Sequence, residues 1–113
     1  MFDTSTYHMG GHLQVIDIKA LKAIAHHLKP IVIIGNLGLS NAVVAELNRA
    51  ISDHELIKVQ LNIVDRKLRV KLANQASQLT DAKIVQQIGK VVVLYRPNEG
   101  SRPALSNITR YGH

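Results

Sequence analysis

Four β-type segments separated by stretches of helical period leave this chain few ways to fold. Ile31–Ile34 is a continuous β-branched run held between Pro30 and Gly35, and it reads as a short, buried central strand. Residues 56–63 alternate strictly: Ile57, Val59, Leu61 and Ile63 point one way, Lys58, Gln60 and Asn62 the other. That pattern predicts a strand with one buried and one polar face. Residues 82–88 and 91–96 are two further strands, and Gly89-Lys90 between them predicts a tight hairpin.

The intervening segments carry helical spacing. In residues 17–29, Ile18, Leu21, Ala25 and Leu28 recur at three and four residues, with Asp17 as N-cap and Pro30 as the stop. Ser40 caps a second helix, over 40–52, that turns Val44, Leu47 and Ile51 to the core. A third helix over 65–79 buries Leu68, Leu72, Ala76 and Leu79. The order α-β-α-β-α-β-β, with right-handed crossovers, implies an α/β two-layer sandwich on a four-stranded mixed sheet. At 113 residues there is room for one domain, placed at 15–97. Residues 1–14 are expected to be a flexible leader and 98–113 a loose basic tail, with room for a short element around Leu105–Thr109.

Charge narrows the partners. Fourteen Lys and Arg against eight Asp and Glu give a net charge of +6, with a sequence pI near 9.9. Such a domain attracts polyanions, and nucleic acid is the partner most in keeping with it. Without cysteine there is no disulfide, thiolate or cysteine–zinc chemistry. No apolar run reaches 18 residues, so no membrane span is expected. The first twelve residues lack the basic start and apolar stretch of a secretory signal, and a cytoplasmic location is expected. The six histidines offer no convergent set of ligands: His8 and His12 sit in the leader, and His26 and His27 are adjacent, about 100° apart on a helix. The serines form no nucleophile elbow and the glycine loop is not a Walker A, so neither metal, cofactor nor enzymatic activity is expected.

The sharpest local signal is Gly35-Asn36-Leu37-Gly38, a GxxG loop between strand and helix. Its glycines allow unusual backbone angles and close approach of a sugar-phosphate chain, and the following helix start favours an anion. KH domains clamp nucleotide backbones with a loop of this form. On the first helix Lys19, Lys22, His26 and Lys29 form one cationic stripe. Arg49, and the cluster Arg66, Lys67, Arg69 and Lys71, either extend that track or lie on another face. Aromatic residues are scarce, and only Tyr95 falls in a predicted strand, so binding is expected to rest on backbone and shape, not on base stacking.

These residues together carry a family resemblance. Leu28-Lys29-Pro30, the GxxG loop followed by Leu39, His54-Glu55-Leu56-Ile57-Lys58-Val59, and Ile88-Gly89-Lys90 with Leu94-Tyr95-Arg96-Pro97 resemble the CRM (chloroplast RNA splicing and ribosome maturation) domain, whose single-domain bacterial members are YhbY-like. The resemblance covers about residues 17–97. It implies a fold like the C-terminal domain of bacterial translation initiation factor three. It also implies RNA binding and association with ribosomal RNA of large-subunit precursors, in assistance of ribosome assembly. Carried onto this chain, the contacts are Gly35–Gly38 with Lys22, Lys29 and Lys58. Family loops often place a Lys or small polar residue between the glycines. Here Leu37 is apolar, so phosphate binding would depend on backbone amides and flanking lysines.

Two other readings are open: a protein-interaction module whose basic face meets a ribosomal protein or assembly factor, and a DNA binder, against which the absence of a helix-turn-helix argues. A monomer is expected.

Overall fold

The computed structural model describes residues 6–9 and 14–111. Strands β1 (Thr6–Met9) and β2 (Gln14–Asp17) pair antiparallel as a small separate sheet where the sequence predicts an irregular leader; residues 1–5 and 10–13 of that leader lie outside the described residues. The main body runs α1 (Ile18–Ala25), β3 (Pro30–Ile34), α2 (Asn41–His54), β4 (Leu56–Leu61), α3 (Arg66–Thr80), β5 (Lys83–Ile88), β6 (Val91–Tyr95) and α4 (Asn107–Tyr111). The four strands stand in the order β3-β4-β6-β5, with β3 and β4 parallel and the other pairs antiparallel. This is the expected α/β fold with a mixed four-stranded sheet.

The caps follow the sequence. Asp17 Oδ1 accepts from the Ala20 amide at 2.8 Å, and Ser40 Oγ accepts from the Val43 amide at 3.2 Å. α1 ends earlier than Pro30 requires. The amides of His27 and Leu28 turn back to Ile24 and Ala25, three residues away, and tighten the last turn. Lys29 is thereby removed from the helix and placed at the head of β3.

Two apolar clusters divide the sheet. Ile57, Val59, Leu61, Val92 and Leu94 pack with Leu47, Ile51, Leu72 and Ala76 of α2 and α3. Leu56, Val93 and Tyr95 pack instead with Leu21, Ile24 and Ala25 of α1 and Ile108 of α4. Because neighbours on a strand point to opposite faces, these clusters lie on opposite sides, and the two-layer expectation is corrected to three layers. The cause is α1: its apolar stripe, which includes Ile24, is buried on the face that α2 and α3 leave open.

Two further expectations change. The run Ile31–Ile34 is not a buried central strand but an edge strand, with Val32 and Ile34 buried and Ile31 and Ile33 about half exposed (47% and 56%). The tail beyond Pro97 is not loose throughout. Ser106, Asn107 and Ile108 are buried. The Asn107 amide donates to Leu56 O at 2.6 Å, and Ser106 Oγ donates to Glu55 Oε1 at 2.7 Å. Arg96 braces the same end of the molecule, its guanidinium donating to Thr80 O, Ser52 Oγ and Asn48 Oδ1.

Candidate nucleic-acid interface

Gly35–Gly38 stands at the C-terminal end of β3 and leads into α2. The Gly38 amide donates to Gly35 O at 2.9 Å, which closes a tight turn. Gly38 has φ +73°, and Leu72 Cδ2 lies 3.8 Å from where its Cβ would be. A side chain there would pay the left-handed penalty of about 1–2 kcal/mol. Gly35 has no such angle, and a Cβ on it would meet nothing within 4 Å. Of the two freedoms expected of the glycines, Gly38 uses the unusual angle and shapes the turn, whereas Gly35 keeps its surface bare.

Between them, Asn36 and Leu37 are exposed, Leu37 almost fully at 98%. Their amides have no acceptor among the described residues. The adjoining helix start also leaves amides unpaired, since Ser40 Oγ takes only that of Val43. The loop thus presents unpaired donors and no charge of its own.

Two of the expected cationic residues, Lys29 and Lys58, border an uncovered part of the sheet. α1 and α4 cover the part of the sheet that holds Leu56, Val85, Val93 and Tyr95. Beyond them, Lys58 and Gln60 of β4 are half-buried, and Ile33 of β3 pairs in register with Gln60. A cleft of about 280 Å³ opens there, bounded by His26 at the C-cap of α1, Lys58 of β4, Gln86 and Ile88 of β5 and Val91 of β6. Lys58 also lines a second cleft of about 190 Å³, shared with Lys29, His54 and Arg110. The register that sets Lys58 opposite Pro30 is what brings these cations together.

The structure therefore joins His26 with Lys58, and Lys29 with Lys58. Lys19 and Lys22 are exposed on α1 and line neither cleft. Lys29 and the loop stand at opposite ends of β3, roughly 20 Å apart at the rise of an extended strand. No single phosphate touches both, but a run of several nucleotides lying along the sheet would. Arg49 stands apart, exposed on α2 beyond the opposite face. Arg66 and Arg69 line a separate cleft with Gln87 and Gly89. The Arg69 guanidinium is spent on the loop after β4, donating to Ile63 O at 2.8 Å and Val64 O at 2.9 Å. Sequence reasoning missed Gln86, Ile88 and Arg110, because only register and the docking of α4 bring them to this face.

Comparison with known proteins defines the class. The sequence model of the CRS1 / YhbY (CRM) domain matches residues 13–96, and the chain belongs to that family. It is 44% identical over 93 residues to a probable RNA-binding protein of Pseudomonas aeruginosa, across 82% of this chain and 89% of that one. It is also 44% identical over 82 residues to an RNA-binding protein of Haemophilus influenzae, across 73% of this chain and 83% of the relative. Among solved structures it is similar to that of a hypothetical Staphylococcus aureus protein suggested to bind RNA, with TM-score 0.66 and 28% identity over 75% of this chain and 88% of the other. The family is one of RNA-binding domains, not of enzymes. Among the described residues no helix is long and apolar enough to cross a membrane, and no group of three or more His, Asp or Glu is placed to hold a metal ion.

Proposed function

We propose that this protein binds RNA through the GxxG loop and the cationic open sheet face, and that its target is ribosomal RNA of large-subunit precursors, in the cytoplasm, during ribosome assembly. The observation that carries the reading is the arrangement around Lys58. Lys58 of β4, Lys29 of the α1–β3 connection and Arg110 of α4, with His26 beside them, border one uncovered sheet face, at whose end the loop presents unpaired amides. Relatives named RNA-binding proteins support the polymer; the family resemblance supports the ribosomal target. Affinity rests on the backbone: amides at the loop, ammonium groups along the sheet.

The test is binding to purified ribosomal RNA across a salt series. If four to six phosphates are contacted, log K against log salt should fall with a slope of about −3 to −5. In Lys29→Ala combined with Lys58→Ala the slope should flatten by up to about 2, with affinity falling on all sequences alike. An unchanged slope would remove the sheet face from the interface. Crosslinking in cells followed by sequencing should recover large-subunit precursor RNA; recovery of other RNA alone would overturn the ribosomal target.

One observation favours a second reading, docking of a ribosomal protein or assembly factor. Ile31, Ile33 and Ile88 are exposed on this sheet at 47%, 56% and 66%, and exposed apolar groups inside a polar rim suit a protein partner. No binding to RNA alone at low salt would select it.

A further inference from the structure

The sequence predicts binding without base stacking, yet the fold assembles a ring pair from residues far apart in the chain. His27, in the turn after α1, stacks on Tyr111 at the end of α4, with centroids 5.8 Å apart and planes 8° from parallel. The Arg110 guanidinium carbon lies 5.3 Å from the Tyr111 centroid. Both rings are exposed, and both wall the 190 Å³ cleft that Lys58 shares. The lining of that cleft carries Lys29, Lys58, Arg110, His27 and His54 and no carboxylate.

The pair is held in place from within. Glu55 is buried and takes the Ser106 hydroxyl, Asn107 donates to Leu56 O, Ile108 sits in the core, and His54 Nδ1 bonds to Leu105 O at 2.7 Å. An aromatic ring held on a fixed element beside cations is the arrangement that takes an unpaired base with its phosphate. At about 190 Å³ the cleft is smaller than the roughly 300 Å³ at which small-molecule sites begin. It therefore suits one planar ring, with the sugar and phosphate left outside against the cations.

We propose that this cleft holds a single unpaired nucleotide, its base on the His27–Tyr111 pair and its phosphate on Lys29, Lys58 and Arg110. The site lies partly outside the matched domain, which ends at residue 96. It rests on the RNA-binding reading and adds to it a preference for looped or single-stranded segments next to the duplex or backbone held along the sheet.

The experiment compares the full chain with Tyr111→Leu and Tyr111→Phe on two RNAs of equal length, one a perfect duplex and one with an unpaired loop. Tyr111→Leu should lose about tenfold on the looped RNA and almost nothing on the duplex. Tyr111→Phe should restore binding, because it keeps the ring. The methyl resonances of Ile108 report whether α4 stays docked in each variant. If Tyr111→Leu loosens α4, His27→Ala, which leaves α4's anchors intact, takes its place. Ring resonances of His27 and Tyr111 should shift with the looped RNA and far more weakly with adenosine monophosphate alone. Looped-RNA affinity unchanged in a variant with α4 docked would overturn this site while leaving RNA binding standing. Saturation by the monophosphate at concentrations where RNA leaves the rings unmoved would make it a free-nucleotide site and overturn the RNA assignment. Absence of RNA binding by the unaltered chain would overturn the parent reading and this one with it.

Discussion

Gly35→Asp is expected to lower RNA affinity by at least about 100-fold and to leave thermal stability almost unchanged. The two effects separate because of what Gly35 does. Its backbone is not in the left-handed region, and nothing lies within 4 Å of a Cβ built on it, so the folded chain accepts a side chain there. A carboxylate at that point sits beside the unpaired amides of Asn36 and Leu37, where the proposed phosphate would go. Like charges brought together cost several kcal/mol, and each 1.4 kcal/mol is about tenfold. Gly38 is the poorer probe, since its φ of +73° makes any substitution strain the turn. Gly35→Ala serves as the control and should bind nearly as the unaltered chain does. Equal RNA affinity of a folded Gly35→Asp variant would remove the loop from the interface.

Glu55→Ala should have the largest effect on stability, about 3 kcal/mol, read as a fall of roughly 15 °C in Tm. Glu55 is 3% exposed, and its two oxygens accept from different parts of the tail: Oε1 from Ser106 Oγ at 2.7 Å, Oε2 from the Asn98 amide at 2.9 Å. Its own carbonyl accepts from the Arg96 amide. Removing the carboxylate leaves the buried Ser106 hydroxyl and the half-buried Asn98 amide without this partner, at about 1–3 kcal/mol for each donor out of reach of water, before relaxation. The tail should be released first, so hydrogen exchange at Asn107–Tyr111 should accelerate in Glu55→Ala more than exchange in β4 or β6. A Tm within 3 °C of the unaltered chain would show that α4 is held by its apolar contacts alone.

This hub explains why part of the fold was readable in the sequence and part was not. Local signals were strong where local physics decides. Ser40 and Asp17 cap as their side chains allow, and the alternation over 56–63 yields β4 with Ile57, Val59 and Leu61 inward. What failed depended on distant partners. Ser106 and Asn107 fall in the tail expected to be loose, yet they are buried because Glu55 and Leu56, about fifty residues earlier, supply their hydrogen-bond acceptors. The run Ile31–Ile34 reads as a central strand, since an apolar run carries no information on whether a neighbour covers both its faces; here β3 is the edge and Ile33 faces outward.

The candidate site divides in the same way. The GxxG loop was visible as a motif, although which glycine needs its freedom was not, because that depends on a dihedral angle. The expected stripe on α1 loses Lys29 to the early end of the helix, a matter of hydrogen bonds three residues apart instead of four. Lys58 as the residue common to two clefts follows from strand register, which the sequence pattern does not specify. The ring pair His27–Tyr111 joins positions 84 residues apart and has no local signature at all.

The most direct measurement is a titration of the isotopically labelled full chain with a ribosomal RNA fragment, followed through the backbone amide resonances. Shifts should concentrate at Asn36 and Leu37, at the start of α2, and along Ile33, Lys58 and Gln60, with Arg49 and the outer side of α3 unmoved. Perturbation confined to α2 and α3 around Arg49, with the loop amides silent, would contradict an RNA path that runs from the open sheet face to the glycine loop.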